Sequence, residues 1–323
     1  MGPSAIMTAY IARRLIGFGV TLLVAAMVIF YLLDLLPGDP AQFILGINAT
    51  PDSVARLRLQ MGLDAPAYQR FVEWLGGMLR GDFGMSYTQR APVASLIWDR
   101  LGVTLPLALA AMVISILVGL PLGILAARRR GKALDTSIMV LAQTGVAIPN
   151  FWFGMLLTLI FAVGLRWLPP GGFTPWGEDS GAALRGLILP SLALALPQAS
   201  ILARVMRTSL VEVAGQDFIR TARAKGLTMD EALWRHGVRN AMLPVLTILG
   251  LQFAYLIAGT IVVENVFYLP GLGRLIYTAI LERDLILVRG ATIILIIAVT
   301  STMLLTDIAY AVVDPRLREG SRT

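Results

Sequence analysis

The residue types that most often carry chemistry are scarce in this chain. His236 is its only histidine and it has no cysteine, so neither a histidine cluster nor a thiolate zinc set can be assembled within it. No Gly-x-x-x-x-Gly-Lys-[Ser/Thr] phosphate loop occurs. Gly271-Leu272-Gly273-Arg274 lacks the strand-loop-helix context of a nucleotide site and reads as a turn. Four amides, Gln143, Asn150, Gln198 and Gln252, stand inside apolar stretches, where an unsatisfied amide is costly. Each either bonds between helices or lines an aqueous path. No ionisable group is centred in a long apolar run, since Glu264 and Asp307 lie nearer the ends, and this argues against a proton relay. No catalytic residue and no metal site are assigned.

The other constellation is basic. It reads Asp217-Phe218-Ile219-Arg220-Thr221-Ala222-Arg223-Ala224-Lys225-Gly226-Leu227 and continues through Trp234-Arg235-His236 to Asn240-Ala241-Met242-Leu243-Pro244. Ala222 and Ala224 permit close backbone approach, and Gly226 can end a short helix and turn the chain. Arg220, Arg223 and Lys225 supply polar contacts around that small surface. A short helix of this kind suits docking in another protein's cleft; an ordinary solvated basic loop is the alternative. His236 either contacts a partner or packs locally, and nothing marks it as a base.

The elements that must position these groups follow from where charge is absent. Hydrophobic residues make up 57% of the 323 and charged residues 15%, which excludes a disordered chain and argues against a soluble globule. Six stretches lack charge altogether: Leu15–Leu33, Leu101–Ala127, Thr136–Leu165, Gly186–Ala203, Ala241–Val263 and Gly290–Thr306. Each approaches or exceeds the roughly 20 residues that a helix needs to cross a bilayer. The expected fold is therefore an all-α membrane protein with six transmembrane helices. The first run is too long for a signal-peptide core and lacks a cleavage pattern, so it is expected to stay in the protein.

An even number of spans puts both termini on one side. The loops on that side hold 16 basic residues against 11 opposite, and the tight Arg128-Arg129-Arg130-Gly131-Lys132 turn weighs most because the bias acts through short loops. Both termini are expected in the cytoplasm. The net charge of +7 is explained by these topology anchors, and no nucleic-acid motif accompanies it. Residues 1–34 then form the N-terminus and first span, 35–99 an external region, 100–312 the core with a cytoplasmic segment at 204–239, and 313–323 a tail. The external region includes an amphipathic stretch from Tyr68 to Leu79.

The segment around Arg220 resembles the "EAA" cytoplasmic signature of bacterial ATP-binding-cassette importer permeases, specifically the dipeptide, oligopeptide and nickel family. Arg220 stands where that signature has its glutamate, Thr221 follows, and Ala222 and Gly226 are retained; the Arg-Thr-Ala-Arg-Ala-Lys-Gly form is that of the peptide branch. Other resembling pieces span the chain: Tyr10-Ile11-Ala12-Arg13-Arg14-Leu15, Leu36-Pro37-Gly38-Asp39-Pro40, Met61-Gly62-Leu63-Asp64-Ala65-Pro66, Gly81-Asp82-Phe83-Gly84-Met85-Ser86, Glu264-Asn265-Val266-Phe267, Pro270-Gly271-Leu272-Gly273 and Asp314-Pro315-Arg316.

The resemblance is to the first of two permease subunits and implies a type I ABC importer permease fold in the bacterial inner membrane. It implies a second homologous permease subunit, two ATP-binding subunits that carry the ATP and Mg, and an extracytoplasmic substrate-binding protein. This chain would itself hold no cofactor and catalyse nothing. Arg220 to Gly226, with His236, would couple to the ATPase. Cargo in the family covers peptides, glutathione, nickel complexes and some sugars or opine-like small solutes, peptide being the leading expectation. An ion-coupled secondary carrier is the alternative; it would more naturally show inverted repeats or a buried charged relay.

Overall fold

The computed structural model describes residues 3–35, 39–46 and 49–313. Leu36-Pro37-Gly38, Asp314-Pro315-Arg316, Arg318 and Arg322 lie outside the described residues. Among those described, thirteen α-helices follow one another: α1 (Pro3–Asp34), α2 (Pro40–Leu45), α3 (Pro51–Gln60), α4 (Ala67–Leu79), α5 (Val93–Arg128), α6 (Ala133–Ala147), α7 (Asn150–Leu157), α8 (Ser180–Ala214), α9 (Asp217–Ala224), α10 (Met229–Ala232), α11 (Val238–Val266), α12 (Leu272–Leu281) and α13 (Leu285–Val313). Wider π-type turns extend α7 through Thr158–Gly164 and join α10 to α11 through Leu233–Gly237.

Five spans are unbroken: within α1 and α13, along α5 and α8, and through the continuous Met229–Val266 helix. The third expected span differs. Ala133–Ala147 and Asn150–Gly164 meet at a bend of 101°, so six spans result only when this bent pair is taken as one. The cause is local. Ile148 is extended (φ −78°, ψ 123°) ahead of Pro149, as expected for a residue whose α conformation clashes with a following proline ring. Pro106 and Pro121 in α5, Pro190 and Pro197 in α8, and Pro244 in α11 instead stay inside continuous helices. The helices also overrun their uncharged stretches, and the 204–239 segment is mostly helical: α8 reaches Ala214, α9 follows over Asp217–Ala224, and the chain is helical again from Met229.

The centre of the bundle is the α5–α8 pair. Lipid tails are as apolar as leucine, so packing at close range must hold helices together. Gly119 and Gly123 permit it: a Cβ there would stand 2.6 Å from the Ala199 carbonyl oxygen and 2.5 Å from that of Ala203. Leu107, Ala111, Leu194 and Ala195 are buried along the same contact. The bent α6–α7 pair and α11 pack on α8, while α1 lies against α13.

At the end of the bundle opposite the termini, the far end, two buried carboxylates join distant segments. Glu264, fully buried near the end of α11, accepts from the Thr104 hydroxyl at 2.6 Å and the Arg274 backbone N–H at 3.0 Å. The Leu272 N–H donates to the Thr104 oxygen at 2.8 Å, so the exposed donors at the start of α12 are satisfied through α5 and α11 together. A Cβ on Gly271 would fall on the Glu264 carboxylate. Asp284 accepts from the hydroxyls of Ser86 (2.6 Å) and Thr88 (3.0 Å), and its other oxygen takes the Leu287 N–H at 3.0 Å in the first turn of α13. The Gly81–Ser86 motif is thereby tied to a helix almost 200 positions later. Amphipathic α4 lies beside α1, with Phe71 and Trp74 against Phe30.

At the terminal end the ties are ion pairs. Arg207 on α8 clamps Asp135 on α6 through two 2.7 Å bonds, and the Gly131 N–H adds a third to that carboxylate at 3.0 Å. Arg14 meets Asp307 at 3.0 Å.

Replacing Gly123 by leucine should therefore cost about 3 kcal/mol, the upper end of ordinary overpacking penalties, and lower the melting temperature of the solubilised chain by several degrees. A Gly177→Leu control, where nothing lies within 4 Å, should melt like the parent. Equal melting of all three would disprove the close α5–α8 contact.

Candidate functional site

Helix α9 begins two residues beyond the α8 C-cap and turns one face inward. Ile219 is fully buried and Ala222 nearly so, within a cluster that includes Leu210, Val213, Ala232 and Leu233. The other positions of the basic segment face outward: Arg220, Thr221, Arg223, Ala224, Lys225 and Gly226 are all exposed. Of the two alanines, Ala222 is the one that packs inward; Ala224 belongs to the outer surface.

The helix stops where Gly226 suggested. Its φ is +99°, a region that side-chain-bearing residues avoid. The Gly226 N–H donates to the Arg223 carbonyl at 2.9 Å and the Leu227 N–H to that of Ala222 at 3.4 Å, the paired 5→2 and 6→1 bonds of a Schellman stop. No atom lies within 4 Å of a Cβ built on Gly226, so its constraint is backbone conformation and not space.

Two features fix α9 and α10 to the bundle. Thr228 and Glu231 form a reciprocal capping box: the Glu231 carboxylate accepts the Thr228 N–H at 2.8 Å, and the Thr228 oxygen accepts the Glu231 N–H at 3.3 Å. Arg128, the last residue of α5, donates from Nε and Nη2 to the two oxygens of Asp230 at 3.0 and 2.8 Å. The sequence marked Arg128 only as a topology anchor and did not mark Asp230. The triple-arginine turn has a sufficient explanation in topology, and pairing across 102 positions leaves no local pattern.

The exposed surface here is cationic and partly aromatic. Arg220 makes only a 3.3 Å contact with Asp217, both side chains being largely solvated. Phe218 is partly exposed, and Trp234, Arg235, His236 and Arg239 are exposed. His236 lies in the π-type turn, where its carbonyl accepts from the Asn240 side chain at 2.8 Å.

The four amides do not converge on one point. Gln143 accepts from Arg204 at 3.1 Å between α6 and α8. Asn150 opens α7 and lies 3.9 Å from a Cβ built on Gly259. Gln198 and Gln252 do meet: the Gln252 side-chain N–H₂ reaches the Gln198 carbonyl at 3.5 Å, and both side-chain oxygens are buried without a partner. Unsatisfied acceptors at one α8–α11 crossing leave capacity for water or a passing solute. Among the described residues no group of His, Asp and Glu is placed to hold a metal ion.

Comparison with known proteins covers nearly the whole chain. Residues 119–319 match the family described as binding-protein-dependent transport system inner membrane component, and residues 7–108 match its N-terminal membrane-component family. A protein of Brucella abortus that carries the provisional name of peptide transport system permease is 43% identical over 312 residues, covering 97% of this chain and 99% of its own length. The glutathione transport system permease of Salmonella typhimurium is 41% identical over 309 residues, covering 96% and 98%. Among solved structures, an inward-facing methionine ABC transporter superposes with a TM-score of 0.57 at 17% identity, over 68% of this chain and 96% of that one, a likeness of fold. The chain belongs to the binding-protein-dependent transport system inner membrane component family, as the non-catalytic, membrane-spanning permease subunit of an ATP-driven importer with a type I fold.

Proposed function

We propose that this chain forms half of the translocation path of an importer for di- or oligopeptides in the bacterial inner membrane. It works with a second homologous permease, two ATP-binding subunits that hold ATP and Mg, and an extracytoplasmic binding protein. The observation that carries the coupling half of this reading is α9, a short helix rooted by Ile219 and Ala222 whose outer face is cationic and solvated. The names of relatives above 40% identity support a peptide cargo, and glutathione, itself a tripeptide, is the neighbouring possibility within that class. The terminal end is assigned to the cytoplasm on the arginine and lysine bias, which makes the far end, with residues 35–99, extracytoplasmic.

In this reading Arg220, Thr221, Arg223, Ala224, Lys225 and Gly226, with His236, face the ATP-binding subunits, while Ala222 anchors α9 to the bundle. Motion of α9 passes inward through the Ile219 cluster to α8, and through Arg128–Asp230 to α5. Gln198 and Gln252 lie along the path, while Gln143 and Asn150 serve interhelical contacts nearer its bent wall.

Proteoliposomes containing this chain with its neighbouring permease, ATPase and binding-protein subunits should take up labelled dipeptides only when ATP and this chain are both present. Gradient-driven uptake by this chain alone would instead place it among secondary carriers. Gly226→Val should leave the complex assembled but lower uptake per ATP hydrolysed by about tenfold, because the left-handed stop of α9 is lost. Arg128→Asp and Asp230→Arg should each reduce uptake similarly, and the double exchange should restore much of it; failure to restore would remove the pair from the coupling route. The absence of native cysteine makes topology directly testable. A cysteine replacing Gly177 should react with an impermeant maleimide applied outside intact cells, one replacing Lys225 only after permeabilisation, and the reverse pattern would invert the orientation.

A further inference from the structure

A cavity of about 740 Å³ opens at the far end between the end of α1, the α2–α4 region and the start of α13. It is within the size range of small-molecule sites, and its wall carries four carboxylates and three guanidiniums. Most of these charges are already matched. Arg70 holds Asp34 through bonds of 2.7 and 2.9 Å, and Arg58 joins Asp39 at 2.8 Å and Asp64 at 3.0 Å.

Among the three arginines, Arg289 is the exception. Ion pairs among the described residues engage Arg14, Arg58, Arg70, Arg128, Arg207 and Arg220, but not Arg289. Its Nε is sealed from solvent with no acceptor. Two aromatic faces lie near its guanidinium, Phe30 at 4.2 Å and Trp74 at 5.7 Å. Cation–π contact offsets part of the charge's desolvation but supplies no acceptor for the N–H donors. A partly buried arginine held between rings on a cavity wall, with no carboxylate in ion-pair range among the described residues and the neighbouring Asp34 already held by Arg70, is arranged to receive an anionic oxygen group from elsewhere.

Two further features define the rest of the ligand. Tyr87 lies on the same wall; burial, with Asp284 adding to it and Arg289 opposing, pushes its phenol up to about 12, so it remains a neutral O–H donor at any physiological pH. Two carboxylates on the wall are not held by arginine: Glu73, exposed on α4 beside Trp74, and Asp82, whose one oxygen accepts the Gly84 N–H at 2.9 Å. The unmatched charges therefore comprise a cation with a neighbouring neutral donor, and two carboxylates on the same cavity's lining.

We propose that this cavity is a binding site on the permease itself for a small zwitterion of the short-peptide class, its carboxylate received by Arg289 and Tyr87 and its ammonium by Glu73 and Asp82. The assignment rests on the peptide-importer reading and on the far end being extracytoplasmic. An ethanolamine phospholipid headgroup carries the same pair of charges. The free peptide is favoured because the lining of this cavity is rich in charged groups; the apolar groove of about 720 Å³ bordered by Leu75, Met78, Ile97 and Trp98 adjoins it at Phe83, so the lipid is tested directly.

The test uses the purified full permease–ATPase complex in neutral maltoside detergent, without binding protein, titrated with Ala-Phe and with its C-terminal amide. Residual phospholipid is counted by native mass spectrometry. The parent should bind the free acid roughly tenfold more tightly than the amide, as a charge-assisted hydrogen-bonded pair implies. Arg289→Gln should abolish that preference and Tyr87→Phe should reduce it severalfold. Elution of the intact complex at the parent's volume and an unchanged melting temperature serve as the check that both variants are folded. Equal binding of acid and amide by the parent, or a preference that survives Arg289→Gln, overturns the site. So does loss of a copurifying ethanolamine phospholipid in Arg289→Gln without any change in peptide binding, which gives the cavity to a lipid. Uptake of the same dipeptide, with binding protein and ATP restored, separates the two readings. Uptake without the Arg289-dependent preference removes the site and leaves the importer assignment; neither uptake nor binding of any peptide removes both.

Discussion

The bundle depends on the close approach of α5 and α8. In a bilayer no hydrophobic gain distinguishes one apolar helix pair from another, so the pair that comes nearest gains most from dispersion. Gly119 and Gly123 remove the side chains that would stand on the Ala199 and Ala203 carbonyls, and they are four residues apart, one above the other on the same helix face. Everything else is arranged around that axis. The bent α6–α7 pair and α11 both pack on α8, and the ends of the bundle are tied to α5 by side chains that reach across long stretches of sequence.

Those ties differ in kind between the two ends. At the far end Glu264 and Asp284 are surrounded by hydroxyls and backbone N–H groups, an arrangement that satisfies helix starts and leaves no mobile counter-charge. At the terminal end Asp135 and Asp230 are gripped by two-pronged arginines. Arg207–Asp135 is mostly buried and Arg128–Asp230 half exposed. A solvated arginine fork contributes little to stability, but it is directional and can be released and remade without exposing a buried charge. The buried capping clusters cannot be opened as cheaply, because every donor they satisfy would be stranded.

Much of this was legible in the sequence. Five uncharged stretches mark five continuous spans, because lipid exposure demands an apolar surface wherever it occurs. The Tyr68–Leu79 amphipathy marks α4, and Gly226 marks the end of α9 through the one backbone conformation that needs it. The third stretch was misleading in shape: Thr136–Leu165 is uniformly apolar, and only Pro149 records that the chain turns by 101° within it. The other in-span prolines bend no helix as far, so proline alone does not distinguish the two outcomes. Pairings such as Thr104–Glu264 and Ser86–Asp284 join residues 160 and 198 positions apart, and no local periodicity encodes them. Arg289 was hidden for a related reason: beside an apolar run it reads as one more interfacial cation, and its want of a carboxylate appears only when the matched arginines around it are in place.

The contrast between the ends gives the proposed transport cycle a direction. In the coupling reading, force arrives at α9, whose outer face is free and whose inner face is anchored by Ile219 alone among its large apolar side chains. That helix is too short to act as a lever through its own length, so displacement must enter α8 and α11 through the buried cluster at Leu210, Val213 and Leu233 and enter α5 through Asp230. Both routes converge on the α5–α8 pair, which the glycine contacts hold as one unit. A unit that cannot slide internally transmits rotation to its other end, where buried carboxylates clasp α12 to α5 and the start of α13 to the Ser86–Thr88 segment that leads into α5, so both must follow it. Flexibility is then left to the bend between α6 and α7 at Ile148–Pro149, beyond the Arg207–Asp135 clamp, and to the α8–α11 crossing at Gln198 and Gln252, whose unpartnered oxygens can take up a hydrogen bond as the helices move.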